Sequence, residues 1–111
     1  MQLCRQIAPQ VSIHGSTQLT VHSLAGVQMC AAMGMDRVVL SRELNRQEIA
    51  YICANSPIEI EIFGHGALCM CYSGQCYLSA MIGSRSGNRG RCAQPCRQSY
   101  GYTRWEHRYP L

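Results

Sequence analysis

Residues 37 to 63, RVVLSRELNRQEIAYICANSPIEIEIF, indicate a strand, a helix and a second strand in close succession. Arg37 to Leu40 is an apolar run containing β-branched residues, which is typical of a buried strand. Ile58 to Phe63 alternates apolar and acidic side chains, which is the period of a half-buried strand. Because a helix separates the two strands, the stretch predicts a parallel βαβ unit.

The helix inside this unit is predicted from its ends and from its apolar spacing. Ser41 is a good N-cap residue, and Pro57 would end the helix before the next strand. The apolar positions at helical spacing are Leu44, Ile49, Ile52 and Cys53.

A further strand and helix are predicted before this unit. Val11 to His14 is a short strand candidate, and Thr17 to Met33 is predicted to be a helix with Ser16 or Thr17 as its N-cap. Gly34 would end that helix. The order is therefore βαβαβ, which predicts an α/β fold with a parallel sheet.

Polar residues occur where each predicted strand ends, at the edge on which α/β proteins build their sites. His14 ends the first strand, Arg42 follows the second, and His65 follows the third. His65 could bind substrate or relay protons, or it could simply bond to a loop carbonyl. The catalytic candidates at this edge are His65, Glu61 and Arg42.

Two carboxylates lie on one face of the third strand, because Glu59 and Glu61 alternate with isoleucines. Arg42 and Glu43 could pair with them or contact substrate. The alternative is a structural network of ion pairs without a catalytic role.

Five of the eight cysteines lie in residues 61 to 97, a segment rich in glycine and arginine. Packing alone does not require so many thiols, so a thiolate metal or iron–sulfur site is the leading hypothesis. Zinc is the competing metal, although the usual two-residue knuckle spacing is missing. Cys4, Cys30 and Cys53 are interpreted as small buried or adventitious thiols on helices. The candidate metal ligands are Cys69, Cys76, Cys92 and Cys96.

The net charge is +4, every basic residue is an arginine, and no acidic residue occurs from Ile62 to Trp105. This asymmetry favours an anionic partner. Residues 84 to 92, SRSGNRGRC, combine glycines with Arg85, Arg89 and Arg91, which are predicted to contact phosphate or carboxylate groups. The segment is not a P-loop, because the lysine is missing.

The length of 111 residues allows one domain, divided into residues 1 to 64 and a Cys-rich region from 65 to 111. The first residues, MQLCRQIAPQ, do not have the apolar core of a signal peptide. No apolar run approaches the length of a membrane span, so a cytoplasmic location without membrane contact is expected.

The motifs ELNRQEI, EIEIFGHGALCMCYSGQCYLS and SGNRGRCAQPCR, and more loosely IHGSTQLTVHS, resemble the signature of the collagenase-like peptidases of family U32. The resemblance runs from about Val11 to Arg97. It implies a TIM-type (β/α) barrel, of which this chain would supply middle strands and the Cys-rich extension that follows them. The remainder of the barrel would then come from missing sequence.

The resemblance also implies a chemistry. Cys69, Cys76 and Cys92 match family positions that ligate a 4Fe-4S cluster, and Cys96 is the nearby substitute for a fourth ligand that lies further downstream in the family. Relatives with this signature hydroxylate RNA bases or a quinone precursor, with a small carboxylated donor such as prephenate. The alternatives are metal-dependent hydrolysis of collagen-like peptides, as the family label has it, and an inactive fragment.

Overall fold

The computed structural model describes residues 2–104 and 107–110 of the chain. The described residues fall into two compact units, the first ending at Gln75 and the second beginning at Cys76.

The first unit contains a small parallel sheet with helices in its connections. Its elements are α1 (Gln2–Ile7), β1 (His14–Gly15), a 3-10 turn (Thr17–Leu19), α2 (Leu24–Ala32), β2 (Arg37–Val39), α3 (Arg46–Asn55) and β3 (Glu59–Glu61). The strand order is β1-β2-β3, and both pairings are parallel. His14 lies opposite Arg37, and Val38 lies opposite Ile60. The predicted α/β architecture with a parallel sheet is therefore confirmed, as an open sheet of three short strands.

The predicted helix from Thr17 to Met33 is wrong in its first half. Ser16 caps only the 3-10 turn, and Thr20 then adopts a left-handed conformation with φ of 56°. The helix α2 begins at Leu24, after Ser23 accepts a hydrogen bond from the Gly26 amide at 3.2 Å. Serine and threonine hydroxyls compete with helical backbone bonds, which explains the late start. Gly34, with φ of +86°, follows the end of α2 as expected.

The predicted N-cap of α3 at Ser41 is also wrong. Asn45 caps this helix, because its Oδ1 accepts hydrogen bonds from the Gln47 amide at 2.9 Å and the Glu48 amide at 3.0 Å. Glu48 completes a capping box by accepting from the Asn45 amide at 2.8 Å. Ser41 is instead buried, and its amide donates to the Val21 carbonyl at 2.9 Å. The helix ends at Asn55, before Pro57, as predicted.

The core of the first unit lies between the sheet and its helices. Cys30 on α2 and Ile52 on α3 face the β2 residue Val38 and its neighbour Leu40 in one apolar cluster. The buried members are Val21, Val27, Cys30, Met35, Val38, Leu40 and Ile52. Leu40 is also held by its backbone, because its amide donates to the Glu61 carbonyl at 2.9 Å. This packing fixes the points at which the chain leaves β2 and β3.

The second unit consists of short elements. They are α4 (Leu78–Gly83), two 3-10 turns (Gly87–Arg89 and Pro95–Arg97), and the antiparallel strands β4 (Gly101–Arg104) and β5 (His107–Pro110). Ser79 on α4 is buried and organises the loop that follows. Its hydroxyl accepts a hydrogen bond from the Ala93 amide at 2.9 Å, and its carbonyl accepts from the Arg85 amide at 3.1 Å.

None of the helices in the described part of the chain has both the length and the apolar character needed to cross a bilayer.

Candidate functional site

The segments that leave the three strands of the first unit meet around one buried residue, Ser73. Ser73 closes the loop of residues 69–73, which follows β3 and is called here the Cys69 loop. Thr20 comes from the segment after β1, and Arg42 and Glu43 come from the segment after β2. These contacts place the Cys69 loop at the carboxyl edge of the parallel sheet, where α/β proteins build their sites.

Arg42 holds the Cys69 loop through its guanidinium group. Its two terminal nitrogens donate to the Cys69 carbonyl and to the Cys71 carbonyl, each at 2.9 Å. Its Nε donates to the Ser73 hydroxyl at 3.2 Å. A guanidinium group has its donors in a rigid fork, so these bonds fix the relative positions of three acceptors.

Glu43 holds the same loop from its other end. Its Oε1 accepts a hydrogen bond from the Ser73 amide at 2.9 Å. Partial burial raises the pKa of Glu43, but hydrogen bonds with the Ser73 amide and side chain outweigh this, and the net pKa is lowered. The Arg42 amide adds a bond to the Ser73 hydroxyl at 3.3 Å. The carboxylate of Glu43 is therefore ionised at neutral pH and bound to the loop.

Thr20 and Gly74 complete the contacts of this loop. The Thr20 hydroxyl donates to the Ser73 carbonyl at 3.0 Å and lies 3.3 Å from Nε2 of Gln75. Gly74 has φ of +73°, and a Cβ built there would lie 2.3 Å from the Thr20 Oγ1 atom. Only glycine therefore permits this close approach.

The carboxylates of β3 pair with an arginine of β2. Nε of Arg37 donates to Glu59 at 2.8 Å, and its NH1 donates to Glu61 at 3.4 Å. The hydrogen bond with Glu59 is the main reason that the pKa of Arg37 is raised. The sequence suggested that Arg42 could pair with Glu59 and Glu61, but in the structure Arg37 forms these ion pairs. An ion-pair network is therefore present on the sheet, and a catalytic role for Glu61 stays a prediction.

The candidate ligand cysteines are distributed over both units. Cys69 lies in the first unit, is exposed, and is held by its carbonyl as described above. Cys76 is half-buried and Cys92 and Cys96 are exposed, all in the second unit. The Cys92 sulfur accepts a hydrogen bond from the Gln94 amide at 3.4 Å. Among the described residues, no group of three or more His, Cys, Asp or Glu side chains converges as metal ligands do.

The remaining cysteines differ in burial. Cys30 is buried in the core, and this burial raises the pKa of its thiol, so its interpretation as a small core residue is confirmed. Cys4 on α1 and Cys53 on α3 are exposed, so of the two interpretations offered above they fit the adventitious thiol and not the buried core residue. Helical spacing placed Cys53 on the apolar face of α3, whereas Ile52 is the residue of that helix that the core buries.

His65 and the predicted anion-binding arginines are all exposed. In the second unit, Nε of Arg85 donates to the Arg91 carbonyl at 3.1 Å, which closes the loop between them. Arg89 lies in the 3-10 turn of this loop, and Gly90 follows it with φ of +68°. The loop is thus ordered and presents three guanidinium groups to solvent.

A crevice of about 470 Å³ lies in the first unit at the opposite edge of the sheet, where the strands begin. It is lined by Met35, Asp36, Ser56, Pro57, Ile58 and Glu59. Parallel sheets build their sites at the carboxyl edge, so this crevice is not a candidate site.

Sequence reasoning missed Ser73 and Thr20. The Ser73-Gly74 dipeptide carried a usable signal, because such pairs mark tight turns. Thr20 gave no signal, since a left-handed threonine is rare and is not expected from sequence.

The model of peptidase family U32 matches residues 1–109. The chain is 45% identical to the tRNA hydroxylation protein P1 of Bacillus subtilis, over 90% of this chain and 24% of that protein. It is 42% identical to the 23S rRNA 5-hydroxycytidine C2501 synthase of Escherichia coli, over 83% of this chain and 14% of that protein. It is also 42% identical to a collagenase of Porphyromonas gingivalis, over 81% of this chain and 24% of that protein.

The chain thus spans about a quarter or less of the length of these relatives. No solved structure matches it significantly. The family match covers nearly all of the chain, including the segment after β2 and the Cys69 loop. The chain therefore belongs to peptidase family U32.

Proposed function

We propose that the chain is part of an enzyme that hydroxylates RNA and uses a 4Fe-4S cluster. The observation that carries this proposal is the fixed position of the Cys69 loop at the carboxyl edge of the sheet, where Arg42 and Glu43 bind it. Two of the relatives described above are named for RNA hydroxylation, and both match most of this chain.

We further propose that the sheet is a segment of a TIM-type barrel. A parallel strand followed by a helix is the repeating unit of such a barrel, and the first unit has three of the eight strands that are needed to close one. Residues 1 to 64 would supply the segment, residues 65 to 111 the signature region, and further sequence the remaining strands.

The residues that would hold the cluster are Cys69, Cys76 and Cys92, with Cys96 as the candidate fourth ligand. Cys69, Cys92 and Cys96 are exposed and Cys76 is half-buried, so their thiols are accessible to a metal, in contrast to that of the buried Cys30. The hydrogen bond from the Gln94 amide to the Cys92 sulfur is compatible with this assignment, because hydrogen bonds to the ligating sulfurs tune the reduction potential of iron–sulfur clusters. When bound, the cluster would supply electron transfer. Zinc is the alternative metal for the same thiols.

The exposed arginines Arg85, Arg89 and Arg91 would bind RNA phosphates or a small carboxylated donor such as prephenate. Their guanidinium groups suit both, because phosphate and carboxylate accept forked hydrogen bonds. His65, exposed after β3, would hold or move a proton near the substrate. An RNA substrate also favours a cytoplasmic location.

Hydrolysis of peptides remains the family label, and one relative carries the name collagenase. We place RNA hydroxylation before hydrolysis because the tRNA hydroxylation protein and the rRNA synthase are at least as similar to this chain.

The test is mass spectrometry of nucleosides from the RNA of cells that carry the gene with Cys69→Ala. Cys53→Ala is the matched control, since Cys53 is also exposed but lies on α3. We expect one hydroxylated nucleoside to disappear in Cys69→Ala cells and to persist in Cys53→Ala cells. An unchanged set of hydroxylated nucleosides in both strains would refute the proposed function.

A further inference from the structure

We infer that Arg42 and Glu43 are positioning residues, which fix the backbone from Cys69 to Ser73 before any metal binds. This inference rests on the proposed function, because it assigns Cys69 as a ligand. It differs from the sequence-based prediction that Arg42 acts in catalysis.

The first argument is the geometry of the Arg42 contacts. The carbonyls of Cys69 and Cys71 both accept from one guanidinium group, each at 2.9 Å. Two carbonyls two residues apart can point to one planar group only if the backbone between them keeps one conformation. A lysine could not replace Arg42, since its single ammonium group does not provide the fork.

The second argument is that the Arg42 guanidinium group already donates its hydrogen bonds to the protein itself. All three of its side-chain nitrogens donate to the Cys69 loop. A substrate carboxylate or phosphate would have to compete with these bonds. The guanidinium group therefore serves the loop, and the exposed arginines of the second unit are better placed to meet an anion.

The third argument is the burial of Ser73, which is 1% exposed. Its amide donates to Glu43, its hydroxyl accepts from Arg42, and its carbonyl accepts from Thr20. Each backbone and side-chain polar group of Ser73 therefore has a partner from the segments after β1 and β2. Such a loop is ordered by the sheet, which preorganises the thiol for its ligand.

The experiment compares amide hydrogen exchange of the metal-free chain in three variants. Arg42→Met and Glu43→Met each remove hydrogen bonds to the loop, whereas Arg46→Met removes an exposed arginine four residues after Arg42. We expect the Ser73 amide to exchange about tenfold faster in the first two variants, as for the loss of one hydrogen bond. The Leu40 amide, bonded in the core, should be unchanged and reports that the variants fold.

The second readout is iron bound per chain after anaerobic reconstitution. Arg42→Met should retain less than about half of the iron retained by Arg46→Met, because a loop that must be ordered when the metal binds holds it more weakly. Ser73 exchange that is equal in Arg42→Met and Arg46→Met would overturn the inference, as would equal iron. Absence of iron from the unmodified chain would refute the cluster instead, and the exchange rates would still decide whether Arg42 orders the loop.

Discussion

Gly74→Ala tests the account of the Cys69 loop most sharply, because the structure allows no side chain there. Gly74 has φ of +73°, and an added Cβ would lie 2.3 Å from Thr20 Oγ1 and 2.7 Å from the Gln18 carbonyl oxygen. The threonine hydroxyl could rotate away, but it would then lose its bond to the Ser73 carbonyl. The Gln18 carbonyl is backbone and cannot move alone.

The expected cost has two parts. The left-handed backbone costs a residue with a Cβ roughly 1–2 kcal/mol. Overpacking against the Gln18 and Thr20 atoms adds roughly 1–3 kcal/mol. We therefore expect Gly74→Ala to lower the free energy of unfolding by roughly 2–5 kcal/mol in total.

The control is Gly34→Ala in the same unit. Gly34 has a similar φ of +86°, but its added Cβ would have only Arg5 Nε nearby, at 3.8 Å. This variant should therefore lose only the backbone part, roughly 1–2 kcal/mol. Urea denaturation of both variants measures the difference. Equal losses of unfolding free energy in the two variants would refute the close contact of Gly74 with Thr20 and Gln18.

Three further results are expected. Leu40→Ala should lower the free energy of unfolding by roughly 2–5 kcal/mol, since Leu40 is fully buried, and a loss below ~1 kcal/mol in urea denaturation would contradict the core described here. Asn45→Ala should cost roughly 0.5–2 kcal/mol by the same measurement, because it removes the cap of α3; a neutral result would argue against the capping box. The pKa of Glu43 is lower in the folded state than its unfolded value of about 4.3, so ionised Glu43 stabilises the fold above that pH. This contribution disappears as the pH falls through the pKa that Glu43 has in the folded state. In Glu43→Gln the free energy of unfolding should therefore fall less steeply as the pH is lowered below about 4.3. An unchanged pH dependence would count against the hydrogen bond between Glu43 and Ser73.

The parallel sheet could be predicted because its signals are local. The apolar run of β2, the alternation in β3 and the helical spacing between them agree with one another, and Arg37 to Leu40 was placed within one residue of β2. The ends of the helices could not be predicted as well. Several polar residues precede both α2 and α3, and tertiary contacts decide which of them serves as the cap, since Ser41 is buried while Asn45 remains free to bond the helix.

The position of Arg42 in the fold could be predicted from the sequence, but its contacts could not. Arg42 follows the predicted second strand, and the structure has it after β2, at the carboxyl edge of the sheet. The partners of Arg42 lie 27 to 31 residues further along the chain. The spacing of apolar residues predicts local helices and strands, but it does not predict contacts over that distance. For the same reason, the pairing of the β3 acids with Arg37 followed only from the register of β2 against β3.

The central claim is that Cys69, Cys76 and Cys92 hold an iron–sulfur cluster. The most direct test is the iron and acid-labile sulfide content of the chain purified without oxygen, compared with Cys69→Ala, Cys76→Ala and Cys92→Ala variants and with Cys53→Ala as control. We expect about four iron atoms and about four sulfides per chain, retained in Cys53→Ala and lost in each of the other three. Zinc in place of iron, or iron retained in all four variants, would contradict the claim.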